Sequence, residues 1–83
     1  MTNSEKLFLI LAEELNFRRA AARAFLSQQG LSDHIRRLEG CYGTPLFYRR
    51  PRVSLTPAGE AVQRTLQRVK NLESGLEAEL AEL

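Results

Sequence analysis

Eighty-three residues suffice for one small domain with a modest core and not for two. With 43% hydrophobic residues the chain is composed to fold, and its longest apolar run, "LFLILA", is far too short to span a bilayer and follows no basic leader segment, so a cytoplasmic protein is expected. Cys41 and His34 are the only residues of their types, which excludes an internal disulfide and any spaced Cys/His metal site.

The net charge of +2 conceals a division along the chain. Residues 1–15 and 55–83 are each acidic by two charges, whereas residues 16–54 carry eight arginines and no lysine against only Asp33 and Glu39, a balance of +6. Arginine makes forked contacts with phosphates and base edges. A basic, all-arginine block points to nucleic acid, the alternative being a solvated surface that happens to be arginine-rich. Nothing supports an enzyme: there is no nucleophile–base pair, no paired carboxylates on one face and no phosphate-cradling glycine loop. No cofactor is implied.

The first predicted helix runs from about Ser4, a credible N-cap, to Glu14, with Leu7, Phe8, Ile10, Leu11 and Leu15 forming a wide apolar face. Asn16 offers the cap of a short second helix, "FRRAAARA". There Phe17, Ala20, Ala21 and Ala24 share one face, suited to tight helix crossing, and Arg18, Arg19 and Arg23 face outward. Phe25 and Leu26 make an apolar turn. Ser27 caps a third helix ending at Cys41 or Tyr42, with Cys41 read as a small buried hydrophobe. Gly43 suits the left-handed residue beyond a helix end, and Pro45 prevents continuation. Leu46–Tyr48 and Val53–Leu55 are expected to be two short strands joined by a loop of arginines around Pro51. Thr56-Pro57 starts a long helix through Leu83, with Thr as N-cap and Pro at the first helical position. Along it Val62, Val69, Leu76 and Leu83 recur every seven residues, supported by Leu72 and, one place out of register, by Leu66 and Leu80. This imperfect seam predicts a dimerisation helix, with Val62, Leu66, Val69, Leu72, Leu76 and Leu80 as contacts.

The third helix has an unusual outer face. Leu31, Ile35 and Leu38 form its inner stripe. Gln29, Ser32 and Arg36 then fall within an outward arc of roughly 60°, flanked by Gln28 at the N-terminus. Glutamine pairs bidentately with adenine, and serine accommodates donors or acceptors, so this tip suits base reading in the major groove. Its alternative is a set of merely capping and solvated residues. His34 lies off the arc and is expected in solvent or facing backbone. Helix, short turn, helix and basic hairpin together give a mainly α, winged helix-turn-helix plan: residues 1–57 as the DNA-binding unit and 58–83 as a linker or dimerisation helix. Arg49, Arg50 and Arg52 cluster on the wing, where an arginine can reach into a narrow minor groove and Arg49 is a candidate for the DNA backbone, the alternative being a disordered charged loop. The rival is an interaction module, a helical dimer whose basic face meets an acidic protein.

The stretch "FRRAAARAFLSQQGLSDHIRRLEGCYGTPLFYRRPRVSLTPAGEAV" resembles the N-terminal DNA-binding domain of LysR-type bacterial transcriptional regulators. Ala20-Ala21, Ser27-Gln28, Ser32 with Ile35, "RRLE", "PLF" and "LTPAGE", in that order and spacing, carry the resemblance. It implies a winged helix-turn-helix whose linker helices pair antiparallel in a homodimer, tetramers in full-length proteins, and a C-terminal effector-binding domain. It also implies interrupted inverted-repeat sites that begin with T and end in A. The family's base-reading positions fall on Gln28, Gln29 and Ser32, its wing arginine on Arg50 or Arg52, and its backbone contacts near Arg18, Ser27 and Arg36. Several positions depart from the family pattern. Ala24 replaces a usual Leu, leaving volume for Phe25 or Phe8 to refill. Gln29-Gly30 replaces a more rigid pair. Asp33 stands where Arg or Lys is common, and is expected to repel phosphate or to accept from cytosine. The wing is one residue shorter than the common form. With no effector domain after Leu83, the chain reads as a piece of a longer regulator.

Overall fold

A computed structural model describes residues 1–83 as four helices and one hairpin. Helix α1 spans Asn3–Glu14 and is capped by Thr2 rather than by Ser4. Thr2 Oγ1 accepts from the Glu5 amide at 3.1 Å while Glu5 Oε1 accepts from the Thr2 amide at 2.8 Å. Only Thr2 has a glutamate three residues on, so the reciprocal box forms there. Ser4 lies inside the first turn and its hydroxyl meets His34 Nδ1 at 3.1 Å.

Leu15, left-handed at φ 49°, ends α1, and its N–H bonds the Leu11 carbonyl. Asn16 caps α2, Phe17–Arg23, as expected, accepting from the Arg19 amide at 2.8 Å. Ala20 and Ala21 are buried, which lets α2 approach its neighbours closely. The turn that follows places Phe25 at φ 57° and leaves it 94% exposed, so it refills nothing beside Ala24; Phe8, fully buried, occupies the centre of the core instead. Ser27 caps α3, Gln28–Tyr42, by accepting from the Gly30 amide, and Gly43 closes it at φ 72°.

Strands β1, Phe47–Tyr48, and β2, Ser54–Leu55, pair antiparallel with Phe47 opposite Leu55. They are shorter than expected; Leu46 keeps its place in the register opposite Thr56, but its N–H is drawn out of the ladder. Its N–H goes to Glu39 Oε2 at 2.7 Å, and its carbonyl accepts from the Thr56 amide at 3.0 Å. Thr56 then caps α4, Pro57–Ala81, accepting from the Gly59 amide and donating its own hydroxyl to the Pro45 carbonyl at 2.8 Å.

The core lies where α1, α2 and α3 meet, closed by Leu46, Phe47 and Leu66. The Phe8 and Phe47 rings are 5.3 Å apart and tilted by 50°, so the wing is packed onto α1. Only the first turns of α4 join this core. Leu66, expected on a dimer seam, is 4% exposed inside the domain, and Val62 packs beside it. The stripe is the same one the heptad reading found, but the body claims its first part. From Lys70 onward every residue of α4 is exposed. The molecule is accordingly elongated, 49 × 26 × 19 Å.

A Cβ at Gly59 would run into the Leu46 carbonyl oxygen, whereas one at Gly75 meets nothing. Gly59→Ala should therefore cost about 3 kcal/mol, on the order of 15 °C in a circular-dichroism melt. Gly75→Ala should raise stability by about 0.5 kcal/mol. Removing the Glu39 carboxylate leaves the Leu46 N–H without its charged acceptor, and Glu39→Ala should cost about 2 kcal/mol. Hydrogen exchange at Leu46 and Phe47 should accelerate in that variant more than in the α1 core.

Candidate nucleic-acid interface

Helix α3 presents its inner stripe as expected: Leu31 and Ile35 are fully buried and Leu38 nearly so. The outward arc carries Gln29 and Arg36, both exposed, with the half-buried Ser32 beside them and exposed Gln28 flanking it at the helix N-terminus. Because Ser27 Oγ takes the Gly30 amide at 2.9 Å, the N–H groups of Gln28 and Gln29 remain free at the helix N-terminus, an arrangement suited to a phosphate.

A shallow cleft brings the three candidate base readers together: Gln28, Gln29 and Ser32 line it with Phe17, Arg49 and Val53. Arg49 does not stand out toward solvent as a phosphate contact would. Its guanidinium lies 4.8 Å over the Phe17 ring, donates to Ser32 Oγ at 3.3 Å and pairs with Glu39 Oε1 at 3.4 Å. The planar fork suits this three-way strut between α2, α3 and the wing.

The other arginines divide into two groups. Arg19 pairs with Glu14 at 3.4 Å, and Arg23 with Glu13 at 2.8 Å and Glu14 at 2.9 Å, so α1 neutralises the inward flank of α2. Hydrogen bonds that Arg23 donates to the Glu13 and then the Glu14 carboxylate hold its guanidinium above its ordinary pKa. Arg18, Arg36, Arg37, Arg50 and Arg52 have no carboxylate within 4.0 Å and are exposed. Four of these five are positions the sequence singled out. Arg50 and Arg52 flank Pro51 at the wing tip, where the Arg50–Pro51 bond is cis.

Two expectations about single residues do not hold. His34 is half-buried and bonded to Ser4, tying α3 to α1, rather than free in solvent. Cys41 is exposed, since the last turn of α3 passes the start of α1, where Thr2, Ser4 and Glu5 leave an open groove beside it.

The sequence reading missed Glu39 as the joint between α3 and the wing. A signal existed: a carboxylate near a helix C-terminus is disfavoured by the helix dipole, so its presence there implies specific donors. It also missed that Asp33 Oδ1 accepts from Gln29 Nε2 at 2.9 Å, a pairing that i, i+4 spacing permits.

The family model for the bacterial regulatory helix-turn-helix protein, lysR family, matches residues 3–60. The transcriptional regulator XapR of Escherichia coli is 49% identical over 65 residues, 77% of this chain and 22% of that protein. DarR of Vibrio fischeri, solved in complex with DNA, is 29% identical with a TM-score of 0.84 over 99% of this chain and 29% of that one. The BenM DNA-binding domain, solved on catB site 1 DNA, superimposes with a TM-score of 0.91, covering 99% of this chain and 93% of that one. Its 24% identity makes this a likeness of fold. The chain spans about a fifth of the length of the first curated relatives it matches. With more than half its residues matched by that model, the chain belongs to the LysR family of bacterial regulatory helix-turn-helix proteins.

Proposed function

We propose that this chain is the DNA-binding part of a bacterial transcription regulator. In this reading it binds double-stranded DNA sequence-specifically, as a homodimer on an interrupted inverted repeat. The observation that carries the reading is the grouping of Gln28, Gln29 and Ser32 in one cleft at the N-terminus of α3, on a molecule whose exposed Arg36 on the same helix and Arg50 and Arg52 on the wing have no carboxylate within 4.0 Å. A helix entering the major groove tip-first needs uncharged donors and acceptors for base edges and cations behind them for phosphates. The DNA complexes of DarR and BenM lend support by family and by fold.

The roles divide accordingly. Gln28, Gln29 and Ser32 read bases; Arg50 and Arg52 enter the flanking minor groove; Arg18, Arg36 and the cap at Ser27 hold the backbone. Arg49 contributes to the DNA face by holding Ser32 and the wing in register. Residues 1–57 form the reading unit, and α4 joins two protomers. Leu72, Leu76 and Leu80, on one side of α4, are 74%, 54% and 57% exposed, more apolar surface than a solitary helix leaves in water without a partner. The full-length protein would add an effector-binding domain, assemble as a tetramer and act in the cytoplasm.

Fluorescence anisotropy at about 150 mM salt, a concentration at which surface charges are screened beyond about 8 Å, tests the base-reading claim. A preference of at least about tenfold for an interrupted T…A repeat pool over scrambled duplex is expected, equivalent to about 1.4 kcal/mol. Gln28→Ala and Ser32→Ala should each remove about 1–3 kcal/mol from specific binding alone. Arg18→Ala and Arg36→Ala should weaken both duplexes alike and flatten the log–log salt slope by about 1. Equal, salt-sensitive binding to both duplexes would mean that the arginines only hold phosphate, and binding to neither, with dimers intact, would leave the interaction-module reading. For the dimer, Leu76→Asp should shift sedimentation from two-chain to one-chain species while leaving the melting temperature of the body unchanged.

A further inference from the structure

We propose that Asp33 is a positioning residue that locks the Gln29 amide in one orientation and thereby makes α3 select adenine at the base step Gln29 faces. This rests on the base-reading role proposed for Gln29 and says which base that role takes.

A glutamine amide is ambiguous by nature. Its oxygen accepts and its nitrogen donates, and a half-turn exchanges the two, so a free glutamine reads opposite patterns equally well. Gln29 is not free. Its Nε2 donates to Asp33 Oδ1 at 2.9 Å. An ionised carboxylate only accepts, so turning the amide over would replace a charge-assisted hydrogen bond by two opposed oxygens. The nitrogen is therefore held toward Asp33 and the carbonyl is turned away from it. The second N–H, on the same edge as Oε1, stays free. That outward edge is an acceptor beside a donor, which complements the N6 amine and N7 of adenine. Guanine offers two acceptors, O6 and N7, and thymine offers O4; each would face the Gln29 carbonyl with another oxygen. Cytosine supplies the amine without the neighbouring acceptor and satisfies half of the edge.

The charge balance supports the same role. Asp33 is exposed on the surface proposed to meet phosphate, and no cation lies within 4.0 Å of it. A carboxylate there opposes binding to any duplex and neutralises no arginine. Gln29 is the one side chain that uses it. An acid that weakens general affinity while orienting a reading group is a specificity device.

The test is a base-substitution series. A half-site is selected from a randomised duplex pool with the 83-residue chain, and every position is then changed to each of the four bases. Binding is measured for the unaltered chain, Gln29→Ala, Asp33→Asn and the double variant. Asp33→Asn keeps size and shape but offers both an oxygen and an NH2 group, so it accommodates either amide orientation. The position whose preference vanishes in Gln29→Ala should favour adenine by about tenfold in the unaltered chain. In Asp33→Asn that preference should fall to about threefold, with guanine and thymine gaining most, while binding to random duplex rises. In the Gln29→Ala background Asp33→Asn should alter overall affinity only. If Asp33→Asn strengthens all duplexes equally and leaves the adenine preference intact, the carboxylate acts as a bare charge and the inference falls while base reading by Gln29 stands. It falls equally if the position tracking Gln29 prefers guanine or thymine. If Gln29→Ala changes no position's preference, the base-reading role of Gln29 itself fails, and the orientation argument with it.

Discussion

The carboxylate of Glu39 joins α3 to the wing, the two halves of the surface proposed to meet DNA. It accepts from the Leu46 and Phe47 amides at 2.7 and 3.3 Å and pairs with Arg49 at 3.4 Å, at the end of α3 where the helix dipole alone would oppose a negative charge. From that point the rest of the wing is placed. The bond to its N–H holds Leu46 so that its carbonyl meets the Thr56 amide, and α4 starts against it with only Gly59 small enough for the approach. Phe47 is brought onto Phe8, and Arg49 reaches back over Phe17 to Ser32. A hairpin of two two-residue strands has too little ladder to hold its own position. Its geometry relative to α3 comes from this one half-buried acceptor and the aromatic packing around it.

Charge on this molecule is sorted by the fold rather than by the chain. Eight arginines lie in residues 16–54, yet three of them face carboxylates: Arg19 and Arg23 those of α1, Arg49 that of Glu39. The exposed pairs of Arg19 and Arg23 contribute little to stability. Their larger effect is to remove positive potential from the side of α2 that faces α1 and leave it on the side shared with α3 and the wing tip. At physiological salt, fields beyond about 8 Å are screened, so the position of each unpaired arginine matters more than the total. Asp33, standing unpaired among them, lowers the local potential and acts through Gln29 instead.

One apolar stripe of α4 is divided between two environments. Val62 and Leu66 are drawn into the domain core, while Leu72, Leu76 and Leu80 remain uncovered. The heptad pattern passes through both regions without a break, because a helix stripe records which face is apolar and not what covers it. After Val69 every residue of α4 is exposed, although the Met1 amine still pairs with Glu73 at 2.6 Å.

Local features were legible in the sequence because each depends on residues within about one helical turn of one another. The caps at Asn16, Ser27 and Thr56, the closing Gly43, the stripe of Leu31, Ile35 and Leu38 and the outward arc of Gln29, Ser32 and Arg36 all follow from that spacing. The cap at Thr2 was hidden only because Ser4 competes two residues away, the deciding group being Glu5. Tertiary structure alone decided what depends on distant partners. It assigned Glu39 to the wing, Arg49 to Ser32, His34 to Ser4 and Leu66 to the core, and it left Cys41 and Phe25 uncovered. The composition and periodicity of a chain specify which faces must be buried or charged. Which neighbour satisfies each group is set when elements far apart in sequence pack together, and that choice has no local signature.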